Sequence, residues 1–99
     1  MRVIELDASD WTTPFDVLNA FGMAIGMPGV ADVDALGEAM IRGAVSSQMP
    51  STIRIARTGH APSAVRNQIA ALAQMIEDAR HWRDNHRYGA VGVTLEIAP

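Results

Sequence analysis

Residues 52–56 have the sequence TIRIA, and they lie between two long stretches with helical hydrophobic spacing. The two isoleucines alternate with Arg54, so this segment is expected to form a strand with one apolar and one polar face. A β-branched run, RVIEL, occupies residues 2–6, and AVGVTLEI at residues 90–97 alternates in the same way. The sequence therefore predicts three strands, with TIRIA second along the chain.

The first helix has clear boundary signals. Thr13 can cap its N-terminus, and Pro14 suits the first helical position. Gly26 followed by Pro28 is typical of a helix that ends in a left-handed residue and cannot continue. The apolar stripe that we expect to face the core consists of Phe15, Leu18, Phe21 or Gly22, and Ile25.

Two further helices complete the predicted order β-α-α-β-α-β. The first of them is expected to begin after Asp32, its N-cap, and to end at Gly43. A loop follows at residues 46–50, and the second helix is expected from about residue 63 to residue 85. Helices between successive strands favour crossover connections and parallel pairing. We predict an α/β fold, in which a small three-stranded parallel sheet packs against three to four helices in one domain spanning residues 1–99.

Composition sets the broad class of the protein. A chain of 99 residues with 48% hydrophobic residues suits one soluble domain, and no apolar run approaches the ~18 residues of a spanning helix. The first residues lack the apolar core of a secretory signal, and the absence of cysteine excludes disulfides and thiolate chemistry. We expect a cytoplasmic protein. All eight basic residues are arginine, which is typical of a GC-rich bacterial genome.

The net charge of −3 is unevenly distributed. Residues 1–41 contain seven acids and only one arginine, whereas residues 42–99 contain seven arginines and four acids. This asymmetry predicts two surfaces of opposite sign, although folding can also interleave the charges.

Residues 79–88, ARHWRDNHRY, combine arginines with aromatic residues. Such a segment can bind nucleic acid, but cations are also favoured at a helix C-terminus, and the acidic chain argues against direct nucleic-acid binding. His81 and Asp78 have i, i+3 spacing, which is one pair rather than a metal site. P-loop, GxGxxG and nucleophile-elbow patterns are absent. We therefore predict no enzymatic activity, no cofactor and no metal.

The second predicted helix has an acidic face. Asp34 and Glu38 are four residues apart, so two like charges lie one turn from each other and disfavour an isolated helix. Helical spacing places them, with Gly37 and Ile41, opposite the apolar stripe of Val33, Leu36 and Met40. Two interpretations are open. Glu38 can pair with Arg42 and Gly37 can permit close packing, or the acidic face binds a partner.

Residues 18–40 carry a resemblance to the barstar family of intracellular ribonuclease inhibitors. A first helix ending in Gly-Met-Pro is followed by a short loop and by Asp-Val-Asp-Ala-Leu-x-Glu-Ala-Met at residues 32–40. The resemblance implies a three-stranded parallel sheet with about four helices and TIRIA as its middle strand. It also implies an inhibitor that binds the basic active site of a ribonuclease through its second helix and the preceding loop. Asp34 and Glu38 match the two helix carboxylates of the family, and Asp78 matches a further acidic contact.

The sequence also departs from this family. The loop at residues 29–31 is shorter and lacks the family's tyrosines, and Gly37 stands where relatives have tryptophan. We expect a barstar-like inhibitor or immunity protein, a monomer or weak homo-oligomer, whose partner is a basic nuclease and not a nucleic acid or membrane. The alternative is an interaction or self-associating module with no nuclease partner. The predicted partner-binding residues are Asp34, Glu38, Asp78, Gly37, Val30 and Asp32.

Overall fold

A computed structural model describes residues 2–27, 29, 32–42, 51–86 and 91–99. Val30, the predicted helix end at Gly43 and the predicted loop at residues 46–50 lie outside the described residues.

The strands form one three-stranded sheet. Strands β1 (Arg2–Asp7), β2 (Ser51–Ala56) and β3 (Val93–Ile97) pair in the order β1-β2-β3, and both pairs are parallel. The predicted parallel sheet is therefore confirmed, with TIRIA in its central strand.

Three α-helices are described, and they follow the predicted order. They are α1 (Pro14–Ala24), α2 (Val33–Ile41) and α3 (Ser63–His86). Short 3-10 helices follow β1 at Ala8–Asp10 and precede α3 at Thr58–His60. The α/β class is confirmed. Within the described part of the chain, no helix is both long and apolar enough to span a bilayer.

One face of the sheet is apolar and the other is polar. The register aligns Ile4, Ile53 and Leu95 in a row across the three strands, and Ile53 is fully buried. The next row aligns Glu5 with Arg54 and Glu96, and the Arg54 Nε donates to the Glu96 carboxylate at 3.0 Å on the exposed side. Successive side chains of a strand point to opposite faces of the sheet. The alternation of apolar and polar residues in TIRIA therefore matches a sheet whose helices pack on its apolar face alone.

Helix α1 has the caps that its sequence predicts. Thr13 and Asp16 form a capping box at its N-terminus. At the other end Gly26 has φ +79°, and the Met27 N–H donates to the Gly22 carbonyl at 2.7 Å, which closes a Schellman turn. The predicted end of α1 at Gly26 is confirmed.

The predicted core stripe of α1 is wrong at Phe15, which is 62% exposed. The buried face of α1 instead contains Val17, Leu18, Phe21 and Gly22. At 100° per residue, Phe15 lies about 90° from the centre of this arc, so its side chain projects beyond the core.

The Asp16 carboxylate makes the stability of the fold depend on pH in the acidic range. The backbone N–H groups of Thr12 and Thr13 donate to its carboxylate at 2.9 and 3.1 Å, and these bonds lower the pKa of Asp16 below its ordinary value of 3.8. A lowered folded-state pKa contributes stability above the ordinary value, and this contribution is lost as pH falls through the folded pKa. We expect Asp16→Asn to flatten the loss of unfolding free energy below about pH 4.

Urea unfolding at a series of pH values measures this slope. Asp10→Asn is the matched control, because Asp10 is exposed and lies outside the capping box. Equal slopes in wild type and Asp16→Asn would contradict the prediction.

Candidate functional site

The short helix α2 is fixed at its N-terminus by Asp32. The Asp32 carboxylate accepts a hydrogen bond from the Ala35 N–H at 2.7 Å, as predicted for an N-cap. Leu36 and Met40 are fully buried and anchor the helix in the core. A nine-residue helix is marginal by itself, so its stability depends on this packing, which is chiefly against α3.

Gly37 lies at the border between the buried and the charged sides of α2, and it is not exposed on the charged side as helical spacing alone predicts. It is buried, and a Cβ atom at this position would lie 2.9 Å from Cγ of Met75 in α3. The buried residues of α2 are Leu36, Gly37, Ala39 and Met40, and the Met75 side chain of α3 lies against Gly37. The close approach of the two helices therefore depends on a residue without a side chain.

A groove runs between α2 and α3, and it has two adjoining sections that share Asp34, Met75 and Asp78. The section near the start of α2 has a volume of about 480 Å³, and the section near its end about 490 Å³. The first section is also lined by Asp32, Val33, Gln68, Ala71 and Gln74. The second is also lined by Gly37, Glu38, Ile41, Ala79 and Trp82.

The fold brings five of the six predicted site residues to this groove. Asp32, Asp34, Gly37, Glu38 and Asp78 all line it, although Asp78 is about 40 residues from the others in sequence. The sixth, Val30, is outside the described residues. The carboxylates come from two helices and line the same groove, which concentrates negative potential there.

These carboxylates are not neutralised by arginine in the described part of the chain. The ion pairs found there are Arg54–Glu96, Arg57–Asp7 and Arg80–Glu77, and none involves the groove. The pairing of Glu38 with Arg42 that the sequence permits is not formed. Asp78 accepts a hydrogen bond from the Gln74 amide at 2.9 Å, which leaves its charge intact.

Two arginines near the C-terminal end of α3 form hydrogen bonds within the fold. The Arg80 Nη2 donates to the Val93 carbonyl at 2.8 Å, and Arg80 also pairs with Glu77. The Arg83 Nη1 donates to the Ile41 carbonyl at 2.7 Å, at the end of α2. These bonds reduce the cationic surface that could bind nucleic acid or the acidic groove of a second copy.

Trp82 and His86 stack at the end of α3. Their ring centroids are 4.0 Å apart with an interplanar angle of 14°, and the His86 Nδ1 lies 2.8 Å from the Trp82 carbonyl oxygen. Trp82 is 36% exposed and forms one wall of the second groove section. The aromatic segment singled out in the sequence thus borders the acidic site.

Candidate catalytic and metal residues do not converge in the groove. Of the pair His81 and Asp78, only Asp78 lines it. Among the described residues, no group of three or more histidine, aspartate or glutamate side chains could hold a metal ion.

Sequence patterns did not identify Met75 and Trp82 as lining residues of this site, or Arg83 as the residue that binds the end of α2. Met75 lies at the edge of the apolar stripe of α3, and Arg83 resembles any cation near a helix C-terminus. The sequence does give a signal at Gly37, because a glycine inside a helix indicates the close approach of another element. Only tertiary packing determines that this element is α3.

Comparison with protein-family models finds no match, and a search of curated proteins finds no related sequence.

Proposed function

We propose that this chain is a barstar-like inhibitor or immunity protein that binds the basic active site of a ribonuclease or nuclease-type toxin. The observation that carries the proposal is the groove between α2 and α3, where Asp32, Asp34, Glu38 and Asp78 come together. The resemblance of residues 18–40 to the barstar family supports the same conclusion.

The charge arrangement suits a partner that normally binds phosphate. Asp34 and Glu38 are exposed on one helix and Asp78 on its neighbour, so three carboxylates can accept hydrogen bonds from arginines or lysines of an active site. Complementary potentials of this kind accelerate association and make it sensitive to salt. The described residues that line the groove include no lysine, arginine or histidine to oppose a cationic surface.

The test is inhibition of RNA cleavage by a panel of basic bacterial ribonucleases, with association measured at several salt concentrations. We expect wild type to inhibit at least one enzyme of the panel. The Asp34→Asn/Glu38→Gln double variant should bind it about tenfold more weakly or worse, chiefly through slower association, because two attractive charges are lost.

The matched control is Glu5→Gln/Asp10→Asn, which removes the same charge from exposed positions that do not line the groove. This variant should retain inhibition. Equal affinities in wild type and the groove variant would contradict the proposal, as would no inhibition of any enzyme. Light scattering tests the alternative of self-association, which predicts a dimer that dissociates as salt is raised.

A further inference from the structure

The Met75 side chain of α3 packs against α2 at Gly37. A Cβ atom at position 37 would lie 2.9 Å from the Met75 Cγ and 3.3 Å from its Sδ. The thioether therefore contacts α2 at a residue that has no side chain to move aside. Met75 is partly buried and packs against the core cluster, so its sulfur belongs to the contact that holds the two helices together.

The same side chain also borders solvent, because Met75 lines both sections of the groove. The other described methionines differ from it. Met40 is 1% exposed and Met27 is partly buried, and neither lines the groove. Met23 is 64% exposed and lies outside the core cluster. Among the methionines that the structure describes, Met75 is the one that both borders the groove and packs between two helices.

A thioether that borders solvent can be oxidised by hydrogen peroxide. The sulfur gives an electron pair to one peroxide oxygen, and an S–O bond forms as the O–O bond breaks. The second oxygen leaves as water after proton transfer, so sulfur loses two electrons and the peroxide gains them. The product, methionine sulfoxide, is polar and carries one additional oxygen atom.

The surroundings of Met75 accommodate this oxygen poorly. Directed toward α2, it would enter the close contact at Gly37 and force the helices apart. Directed toward the second groove section, it would meet the carboxylates of Asp34, Glu38 and Asp78, which accept hydrogen bonds and have no proton to donate. We propose that Met75 is an oxidation site, at which hydrogen peroxide loosens α2 from α3 and so changes the shape of the groove.

The experiment treats the full chain with hydrogen peroxide and follows each methionine by peptide mass spectrometry. We expect Met75 to be oxidised about tenfold faster than Met40 or more, because oxidation follows exposure and Met40 is enclosed in the core. Amide hydrogen exchange is measured on the same samples. Once Met75 is oxidised, exchange in α2 should accelerate by about tenfold or more relative to exchange in β2, because an unpaired polar oxygen weakens the packing that stabilises this short helix.

Two variants identify the methionine responsible. Met75→Leu keeps an apolar side chain of similar volume without the sulfur, so the same treatment should leave exchange in α2 unchanged. Met23→Leu is the matched control, because it removes an exposed methionine that does not line the groove. In this control the acceleration should persist.

Oxidation of Met75 no faster than that of Met40 would overturn the inference. Unchanged exchange in α2 after oxidation of Met75 would also overturn it, as would equal acceleration in wild type and Met75→Leu. The inference goes beyond the proposed function, since none of these measurements uses a partner. A chain that inhibits no ribonuclease can retain this oxidation site, and an inhibitor can lack it.

Discussion

Replacing Phe21 by alanine is expected to lower the free energy of unfolding by about 3–5 kcal/mol, because a large buried side chain is removed from a packed core. Phe21 is fully buried in α1 and belongs to the core cluster with Val17 and Leu36. A domain of this size has about 5–15 kcal/mol of total stability, so this loss removes a large fraction of it. Urea unfolding followed by circular dichroism measures the change.

Phe15→Ala is the matched control in the same helix. Phe15 is 62% exposed, so the same substitution there should change the free energy of unfolding by no more than about 0.5 kcal/mol. A loss at Phe15 as large as that at Phe21 would show that the outer face of α1 is covered by another contact.

Arg83→Met is expected to destabilise α2 by about 1.5–3 kcal/mol, the usual range for a hydrogen bond from a charged donor. The guanidinium donates to the Ile41 carbonyl, one of the C-terminal carbonyls that α2 cannot pair internally. Methionine keeps much of the apolar stem but removes the donor and its charge. Amide hydrogen exchange should accelerate in α2 more than in the central strand β2, because the lost bond lies at the end of that helix.

Arg66→Met is the control for loss of one arginine from α3. Arg66 is exposed, and its hydrogen bond to the Ser63 hydroxyl at 3.4 Å is local. Its removal should leave exchange in α2 unchanged. If Arg83→Met also leaves exchange in α2 unchanged, the Ile41 bond does not stabilise the helix that carries Asp34 and Glu38.

Much of the architecture could be predicted because its signals are local. Thr13, Gly26 and Asp32 act on backbone atoms within a few residues, so the sequence alone indicates where α1 and α2 begin or where a helix ends. The alternation in TIRIA likewise reflects the pleat of one strand. These features do not depend on which element lies next to which.

The groove could be predicted only in part because it is a product of tertiary packing. Helical spacing placed Asp34 and Glu38 on one face, but it could not show that α3 approaches at Gly37 and buries it. The same is true of Arg83, whose hydrogen bond reaches a carbonyl 42 residues away. The apolar stripe of α1 predicts Phe15 in the core because the sequence does not show where the buried face of a helix ends, which depends on the elements packed against it.

The parallel pairing of the strands also determines at which stage of chain synthesis the sheet can form. Arg57 pairs with Asp7 across 50 residues, and Arg54 with Glu96 across 42, so the ends of neighbouring strands meet only after long stretches of chain have been made. Closing such loops loses chain entropy before any strand contact forms, which is typical of domains that fold in milliseconds or longer. During synthesis, β2 has β1 as a neighbour but stays an open edge until β3 emerges from the ribosome. The helices that carry the acidic groove are therefore made before the sheet beneath them can be completed.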